Sequence, residues 1–475
     1  MKILYAASEA VPFCKTGGLA DVAGSLPPAL AEQGAETAVI LPLYRRVREK
    51  FADQLTFLCY DYVDLAWRHT YCGLFSMKKD GVTWYFLDNE QYFDRPELYG
   101  YVDDGERFGF FSRAVVKMLD HLEFWPDVIH CNDWQTALIP IYLKDDGVRE
   151  DRYRSIRTVL TIHNIEYQGR YDPYCLGDLF GLDRGWVDDG TLLLDGDLNL
   201  LKGAILTADA VNAVSPTYAQ ELKNPYFAHR MEGILTQCGY KLSGVLNGID
   251  MKLYDPAADG RITANYTAED LSGKAADKTA LQNLMGLNEE PNTPIIAMVS
   301  RLVSHKGLDL LREVMGDIME LPAQFVVLGS GDAGYEEFFR RTAERYPGRM
   351  AVRLGYNEAL SMAIYAGADL FLMPSRSEPC GLSQMIAMRY GAVPIVRSTG
   401  GLADTVRSCQ VGQEDGTGYL FGDYDTGAML SVIGQATGLY RGDRTGFDTV
   451  RYRGMTADFS WGRSAAAYRH IYENL

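Results

Sequence analysis

Two series of short apolar segments alternate with amphipathic stretches along this chain of 475 residues. Segments this apolar, separated by helical stretches, predict parallel sheets that are covered by helices on both faces. A chain of this length is expected to form more than one domain. The predicted strands are 2–8, 36–42, 127–131, 158–163 and 209–215 in the first series, and 293–300, 323–329, 350–356, 368–375 and 392–398 in the second.

A stretch rich in turn residues, 243–292, lies between the two series and predicts a domain junction near Leu246. We therefore expect a doubly wound N-terminal domain over 1–245 and a second doubly wound domain over 246–458. The tail 459–475 has a helical pattern. Doubly wound sheets bind ligands at the carboxyl ends of their strands, so residues directly after the strands are the candidates for function.

Composition excludes several partners. The formal net charge of −17 argues against nucleic acid or an anionic membrane, since both need a basic protein surface. No run of 18 apolar residues predicts a membrane span. The eight cysteines are irregularly spaced, which favours reduced thiols in the cytoplasm over disulfides or zinc ligands. The first residues are typical of a buried strand rather than a signal peptide, and the oligomeric state stays open.

The string TGGLAD occurs twice, at 16–21 and at 399–404, each time after a predicted strand and before a helix. Glycines permit a close approach of the backbone to a ligand, and the amides at a helix start favour an anion. Lys15 precedes the first copy only. Two copies at equivalent places of two domains predict one ligand that is held from both sides of a cleft.

Arg301 and Lys306 follow the first strand of the second series, in SRLVSHKG. In an acidic protein, two cations at the edge of a sheet are candidates for binding a diphosphate and for stabilising charge on a leaving group. Glu378, in PSRSEPCGL, lies between a strand and a helix, and Pro379 suits a first helical turn. This carboxylate is suited either to sugar hydroxyls or to capping the helix.

Other motifs leave alternatives open. GSGDAG at 329–334 has the spacing of a dinucleotide site, but the next strand ends in Gly355 and Tyr356 instead of an acid, which favours a tight turn. His163 and Asp133 follow strands and are suited to sugar hydroxyls or to structural hydrogen bonds.

Aromatic and acidic loop residues are equally open to interpretation. The aromatic residues of 88–100 either stack on sugar rings or pack their own loop. The acidic groups at 102–104, 187–189 and 195–197 follow no clear strand, so we expect solvated loop acids and no metal site.

Together these motifs resemble the bacterial and plant glycogen/starch synthases, retaining glycosyltransferases of family 5 that use ADP-glucose. The resemblance implies the B-type glycosyltransferase fold, with two Rossmann-like doubly wound domains facing across a cleft and the tail helix joining the N-terminal domain. The motifs that carry it span 15–405 in the family's order: KTGGLADV, HCNDWQT, TIHNIEYQG, LNGID, SRLVSHKGLD, VLGSGD, PSRSEPCGL and STGGLADT.

The resemblance implies that glucosyl passes from ADP-glucose to the non-reducing end of an α-1,4-glucan, with retention and release of ADP, and without a metal or other cofactor. It implies catalytic roles for Glu378, His163, Lys306, Arg301 and Asp133. Ser377 stands where the family usually has an aromatic residue. The implied substrate-binding residues are Lys15, Gly18, Asp21, Asn247, Gly329, Tyr356, Cys380, Gly381, Thr399, Gly400 and Gly401.

Within this implied site, Lys15, Arg301 and Lys306 hold the diphosphate, helped by the backbone at Gly18 and at 399–401. Glu378 binds the 3- and 4-hydroxyls of the glucosyl unit, beside backbone groups of Cys380 and Gly381. The remaining residues are assigned by position: His163 near the 6-hydroxyl, Asp21 and Asn247 near the donor sugar, Asp133 near the acceptor and Tyr356 against the adenine.

Cations at the diphosphate do the work that a metal does elsewhere, and no second carboxylate is evident as a nucleophile. Front-face attack through an oxocarbenium-like state is therefore expected. Three other functions compete: a sucrose- or trehalose-phosphate-forming enzyme of the same fold, an NAD-dependent dehydrogenase on the strength of GSGDAG, and a catalytically silent glucan-binding protein.

Overall fold

The computed structural model describes residues 1–147, 150–409 and 415–475. It divides the chain into two compact units. Unit 1 consists of Met1–Gly248 and Trp461–Leu475, and unit 2 consists of Ile249–Ser460. The sequence-based domains, for comparison, are 1–245 and 246–458. No helix among the described residues has the length and apolar character needed to cross a bilayer.

The strands of unit 1 form a nine-stranded sheet and a small three-stranded sheet. They are β1 Lys2–Ala6, β2 Glu36–Pro42, β3 Thr56–Leu65, β4 Arg68–Lys79, β5 Val82–Asp88, β6 Val128–Asn132, β7 Arg157–Ile162, β8 Arg170–Tyr171, β9 Leu193–Leu194, β10 Asp197–Asn199, β11 Ala210–Ala213 and β12 Leu242–Gly244. The large sheet has the order β12-β11-β7-β6-β1-β2-β5-β4-β3, and the small one has the order β8-β10-β9.

From β12 to β5 the large sheet is parallel, and the sequence prediction of buried parallel strands is confirmed there. Numbered through both units, the helices of unit 1 are α1 Gly18–Glu32, α2 Arg45–Phe51, α3 Glu90–Phe93, α4 Asp104–Lys117, α5 Leu138–Gly147, α6 Cys175–Phe180, α7 Gly185–Asp188, α8 Leu200–Thr207, α9 Pro216–Glu221, α10 Glu232–Gln237 and α19 Trp461–Glu473. Its short 3₁₀ turns are Ala52–Gln54, Met118–His121, Trp134–Thr136, Asp151–Ser155 and Gly239–Lys241.

At one edge the sheet contains two strands that the sequence did not predict: β3 and β4 form an antiparallel hairpin that also pairs antiparallel with β5. Along β3, exposed Tyr60 and Tyr62 alternate with buried Val63 and Leu65. Exposed and buried residues alternate in this way along an antiparallel edge strand that is solvated on one face. The predicted strands were identified by continuous apolar runs, which such a strand lacks.

The tail forms α19, as its helical pattern predicts, and α19 packs on unit 1. The hydroxyl of Tyr472 lies 2.7 Å from Nδ1 of the buried His130. Asn212, also buried, donates from Nδ2 to the hydroxyl of Tyr468 over 2.8 Å. The tail helix therefore supplies hydrogen-bond partners for polar groups in the interior of unit 1, which a buried imidazole or amide requires.

Unit 2 is built on a parallel sheet of six strands with the order β15-β14-β13-β16-β17-β18. These are β13 Ile295–Val299, β14 Gln324–Gly329, β15 Met350–Leu354, β16 Leu370–Met373, β17 Val393–Arg397 and β18 Tyr419–Phe421. The predicted strands of the second series are thus confirmed, and the order is that of a doubly wound Rossmann sheet.

Helices cover the sheet of unit 2, and residues such as Ile296, Val327 and Leu372 are fully buried beneath them. The helices are α11 Ser272–Met285, α12 Leu308–Glu320, α13 Ala333–Arg345, α14 Glu358–Gly367, α15 Ser383–Arg389, α16 Gly400–Thr405, α17 Thr426–Gly442 and α18 Arg444–Met455, with a 3₁₀ turn at Ser304–Lys306.

Candidate active site

The strand order of unit 2 reverses between β13 and β16, because the chain runs outward from β13 to β14 and β15 before it returns to β16. Doubly wound sheets bind ligands at this switch point, outside the carboxyl ends of the strands. Lys306 follows β13 and Glu378 follows β16. The two residues therefore flank the position where such a fold is expected to hold its substrate.

Lys306 and Glu378 form an ion pair. Nζ of Lys306 lies 2.6 Å from Oε2 of Glu378, and the Ser375 hydroxyl donates to the same oxygen over 2.9 Å. Burial raises the pKa of the Glu378 carboxyl, but the Lys306 ammonium and these hydrogen bonds outweigh it, so that the pKa is lowered overall. Glu378 is consequently an ionised carboxylate at neutral pH.

The interpretation of Glu378 as a helix cap is wrong. The following helix, α15, begins only at Ser383, and Pro379 lies in an irregular segment rather than in a first helical turn. Gly381 has a φ of +74°. The side-chain amide Nε2 of Gln384 donates to the backbone carbonyls of Cys380 and Gly381. A short, internally bonded loop holds the carboxylate, and Lys306 and Ser375 keep it charged.

The second TGGLAD copy packs against this loop. A Cβ on Gly400 would lie 2.0 Å from the carbonyl oxygen of Glu378, and one on Gly401 would lie 2.2 Å from that of Cys380. The Gly401 amide donates to the Glu378 carbonyl over 3.1 Å, and Thr399 is fully buried. Both glycines are therefore required by the backbone that presents Glu378.

The first copy has a different environment. Among the described residues, a Cβ on Gly18 would meet no atom within 4 Å, and one on Gly17 would come no closer than 3.6 Å, to Oε1 of Glu9. Lys15 at the start of the copy pairs with Asp21, with 2.7 Å between Nζ and Oδ1, and both side chains are partly exposed. Since the protein's own packing does not require a glycine at 18, the space above its backbone is open to a ligand.

A buried carboxylate holds the loop before α1. Oε2 of Glu9 accepts from the Thr16 amide over 2.5 Å and from the Thr16 hydroxyl over 2.8 Å. Burial raises the pKa of Glu9, and the bonds from Thr16 partly offset that rise. Glu9 is not among the site residues predicted from the sequence, although its position directly after an apolar strand is the signal that would indicate it.

Asp133 and His163 follow the neighbouring strands β6 and β7 and are in contact. Oδ1 of Asp133 accepts from the His163 amide over 2.7 Å, and Asp133 has a φ of +55°. Nε2 of His163 lies 2.9 Å from Oδ1 of the buried Asn132. Burial raises the pKa of Asp133 to about 7 and lowers that of His163 to about 3. The imidazole is therefore neutral at physiological pH, while Asp133 titrates close to neutrality.

Asn247 follows the last strand of the same sheet and carries an unsatisfied polar atom. The residue is 7 % exposed, and its Oδ1 is buried without a hydrogen-bond partner among the described residues. An unpaired buried acceptor costs about 1–3 kcal/mol. A donor from a bound molecule would remove that penalty.

Three further predicted residues lie at the edge of the sheet in unit 2. Arg301 is exposed, and Tyr356 is 72 % exposed. A Cβ on Gly329 would lie 1.9 Å from the carbonyl oxygen of Ser300, and one on Gly331 would lie 2.4 Å from that of Leu302. Gly329 and Gly331 are therefore required by the close approach of the neighbouring segment 300–302, to which 330–332 is hydrogen-bonded, rather than by the tight turn that the sequence favoured.

The aromatic residues of 88–100 mainly pack their own loop. Tyr92 and Phe93 are buried, and the Tyr99 hydroxyl lies 2.7 Å from that of Ser8. Of the acidic loop residues, Asp195 pairs with Arg230 over 2.9 Å. Within the described parts of the chain, no group of three or more His, Cys, Asp or Glu side chains is arranged to hold a metal ion.

Comparison with known proteins places the chain in a family. The model of the starch synthase catalytic domain matches residues 2–237, and that of the group 1 glycosyl transferases matches residues 284–435. Glycogen synthases from Bacillus cereus and Lactobacillus acidophilus are each 45 % identical over 475 residues, which is 100 % of both chains.

Solved structures agree with this. The catalytic domain of starch synthase IV from Arabidopsis thaliana, bound to ADP and acarbose, is 34 % identical with a TM-score of 0.90, covering 99 % of this chain and 98 % of that one. A sucrose-phosphate synthase from Thermosynechococcus elongatus is 18 % identical with a TM-score of 0.61 over 100 % of this chain and 98 % of that one, a likeness of fold alone. The chain thus belongs to the glycogen/starch synthase family of glycosyltransferases, has their B-type fold and is a glucosyltransferase.

Proposed function

We propose that this protein transfers glucosyl from ADP-glucose to the non-reducing end of an α-1,4-glucan, with retention at the anomeric carbon and release of ADP. The observation that carries the proposal is the ion pair of Lys306 and Glu378 at the switch point of unit 2. The glycogen synthase relatives support a glucan acceptor. The Arabidopsis starch synthase IV bound to ADP supports an adenine nucleotide in the donor.

Lys306 and Arg301 follow β13, where their cations stabilise the diphosphate as negative charge develops on it. Lys15 joins them, and the open backbone at Gly18 gives the diphosphate room for close approach. In this proposal the three cations supply the charge that a divalent metal supplies in other nucleotide-sugar enzymes, so no metal takes part.

Glu378 binds the glucosyl hydroxyls. Both hydrogen bonds that this carboxylate accepts from described side chains reach Oε2, from Lys306 and Ser375. We assign Oε1 to the 3- and 4-hydroxyls of the donor sugar. Lys306 contacts this carboxylate directly, so the residue that binds the diphosphate also touches the residue that binds the sugar.

Unit 1 contributes neutral hydrogen-bonding groups. The unpaired Oδ1 of Asn247 accepts from a sugar hydroxyl, and the neutral imidazole of His163 contacts the 6-hydroxyl. Asp21 lies on the donor side and Asp133 on the acceptor side. A neutral His163 is suited to hydrogen bonding rather than to donating a proton at neutral pH.

Retention follows from front-face attack. The bond from the anomeric carbon to the diphosphate oxygen breaks with its electron pair on ADP, and the acceptor hydroxyl forms the new bond on the same face. The hydroxyl proton passes to the departing phosphate oxygen. Glu378 carries a full charge near the sugar and stabilises the oxocarbenium-like state without becoming covalently attached.

Backbone groups of unit 2 complete the proposed site for the nucleotide sugar. The sugar nucleotide is bordered by the backbone at Gly329, at Cys380 and Gly381, and at 399–401, and Tyr356 lies against the adenine. All eight cysteines are free, which fits a reducing compartment, and we place the reaction in the cytoplasm.

The test is incorporation of radiolabelled glucosyl into glycogen from ADP-glucose and from UDP-glucose, each with and without EDTA. We expect preference for ADP-glucose, no effect of EDTA, and α-1,4 linkages in the product by NMR. Preference for UDP-glucose would overturn the assignment of the donor. Loss of activity in EDTA would overturn the proposal that no metal takes part, and β-linkages in the product would overturn retention. A glucosyl–protein adduct trapped with a slow substrate would overturn front-face attack.

A further inference from the structure

Gln384 is a fully buried glutamine in the first turn of α15, directly after residues 378–381, which we call the carboxylate loop. From Nε2 it reaches three acceptors: the carbonyl oxygens of Cys380 at 3.1 Å and Gly381 at 2.9 Å, and the Thr405 hydroxyl at 3.0 Å. Thr405 ends α16, the helix of the second TGGLAD copy. One side chain therefore contacts both the carboxylate loop and α16.

The available hydrogens determine the direction of these bonds. The Thr405 hydroxyl donates its single hydrogen to the Gly401 carbonyl over 2.6 Å, so that it can only accept from Gln384. The amide of Gln384 has two hydrogens, of which one serves Thr405 and the other is shared by the two carbonyls of the carboxylate loop. Reversing the amide would turn Oε1 onto those carbonyl oxygens, and their repulsion excludes that orientation.

A second link joins the same two segments. The Gly401 amide donates to the carbonyls of Glu378 and Pro379 over 3.1 and 3.2 Å. The hydrogen bonds thus form a closed ring, which runs from the carboxylate loop through Gly401 and Thr405 to Gln384 and back to the loop. A single bond would leave the two segments free to pivot about it, whereas a ring restrains them in more than one direction.

The packing around Gln384 allows little movement. A Cβ on Gly381 would lie 2.5 Å from Oε1 of Gln384, so the backbone of the carboxylate loop lies directly against the amide. Gly381 also has a φ of +74°, a conformation that favours glycine. The residue at 381 must therefore be glycine for the loop to approach Gln384 as closely as it does.

Gln384 itself carries a penalty. Its Oε1 is buried without a hydrogen-bond partner among the described residues. An unpaired buried acceptor destabilises a fold, and its presence in a native structure calls for an explanation. A methionine, of nearly the same length, would bring no such acceptor if filling the space were the only requirement. The position therefore requires the two donors, which bond the carboxylate loop and α16 at once.

We propose that Gln384 is a positioning residue, which fixes the carboxylate loop to α16 so that Glu378 and the segment 399–401 hold the sugar and the diphosphate of the donor in register. This role depends on those that the proposed function assigns to Glu378 and 399–401. Gln384 is buried and acts through the backbone of both segments rather than by touching the substrate. A misplacement of about 1 Å is enough to cost about 10²-fold in rate.

The register should matter most for recognition of the sugar. Glu378 is assigned to the 3- and 4-hydroxyls, and ADP-galactose presents its 4-hydroxyl in the opposite configuration. A fixed carboxylate rejects that donor, whereas a loosened one can follow the displaced hydroxyl. Loosening the carboxylate loop should therefore lower turnover and sugar discrimination together. ADP alone has no sugar, so its affinity should not depend on the register.

The test uses Gln384→Met, which removes both donors, and Gln282→Met as its matched control. Gln282 is also fully buried, donates from Nε2 to the Glu290 carbonyl and to Oε1 of Gln324, and has an unpaired Oε1 among the described residues. Gln324 begins β14, so the control lies at the opposite edge of the sheet from the carboxylate loop. Urea denaturation of both variants measures the loss that is purely structural.

In Gln384→Met we expect kcat with ADP-glucose to fall roughly tenfold to a hundredfold. The ratio of kcat/KM for ADP-glucose to that for ADP-galactose should fall about tenfold, while the Kd for ADP by calorimetry stays within about twofold. Gln282→Met should keep all three values. Thr405→Val opens the same ring from α16 and should reproduce the kinetic changes, and Thr405→Ser, which keeps the hydroxyl, should restore them. Gln384→Met/Thr405→Val should be little worse than either single variant.

Unchanged kcat and donor preference in Gln384→Met and Thr405→Val would overturn the proposal. A loss of ADP affinity in parallel with the rate would overturn it too, because Gln384 would then act on the nucleotide or on the whole fold. Equal kinetic losses in Gln282→Met would reduce the effect to stability and have the same consequence. Should Gln384→Met not fold, the comparison of Thr405→Val with Thr405→Ser decides. Inactivity of the wild type with ADP-glucose and glycogen would instead contradict the proposed function.

Discussion

Nζ of Lys306 lies 2.6 Å from Oε2 of Glu378, and the two residues follow β13 and β16, the parallel strands between which the strand order of unit 2 reverses. Each residue compensates the other's charge in a largely buried place, where an unpaired charge is strongly unfavourable. The same pair joins the group assigned to the diphosphate and the group assigned to the sugar.

Removing either member of this pair should abolish most of the activity. We expect Lys306→Ala and Glu378→Ala each to lower kcat/KM by about 10²–10³-fold, because a positioned charge is lost at the reacting centre. Lys252→Ala, an exposed lysine of the same unit, is the control and should keep wild-type rates.

Stability should show the pairing independently. Lys306→Ala leaves Glu378 uncompensated, so adding Glu378→Gln should raise the free energy of unfolding of the single variant while activity stays lost. Urea denaturation measures this. Near-normal activity of either alanine variant would refute its catalytic role, and additive stability effects would refute the pairing.

The two TGGLAD copies should respond oppositely to one added methyl group. Gly18→Ala has open space around it, so we expect an unchanged melting temperature but a donor KM raised about tenfold or more. Gly401→Ala meets the Cys380 carbonyl at 2.2 Å and should lower both the melting temperature and kcat. Calorimetry and initial rates measure the two effects, and a normal donor KM for Gly18→Ala would contradict the proposed diphosphate contact.

His163 should make the fold sensitive to acid. Burial lowers the pKa of folded His163 to about 3, whereas an unfolded histidine titrates near 6.5, so the unfolded state binds the extra proton between these values. The free energy of unfolding therefore falls with decreasing pH, by about 1.4 kcal/mol per pH unit for this one group. His163→Gln should lessen the slope by that amount between pH 6 and 4, and a variant parallel to the wild type would contradict it.

Asp133 should have the opposite effect. Burial raises its folded pKa to about 7, above the unfolded value, so its contribution to stability is lost as the pH rises from about 4 to 7. Asp133→Asn avoids this loss and tolerates the φ of +55°, so its advantage over the wild type should grow across that range to roughly 4 kcal/mol and stay level above it. Urea titrations at pH 5 and 8 measure it, and equal differences at both would disprove the assignment.

The parallel strands could be predicted from the sequence because their apolar runs are interrupted only where helices begin, as in 36–42 and 393–397. The hairpin of β3 and β4 could not, because its alternating pattern places tyrosines where polar residues are expected on a solvated face.

The site residues that follow strands could be predicted from the sequence. Lys306, Glu378, Asp133 and His163 all stand at carboxyl ends of strands, where the topology brings them to one edge of their own sheet. The partners were not predictable: nothing in the sequence pairs Ser375 with Glu378, or Glu9 with Thr16. The helix start after Glu378 was placed wrongly, because Pro379 suits an irregular loop as well as a first turn.

The return of α19 to unit 1 has a consequence for biosynthesis. The hydroxyls of Tyr468 and Tyr472, which pair with Asn212 and His130, emerge from the ribosome only after the whole of unit 2. Domains otherwise tend to fold in the order of translation. In this chain the docking surface for α19 instead stays uncovered while unit 2 is synthesised, so the packing of unit 1 is completed only after unit 2 has been translated.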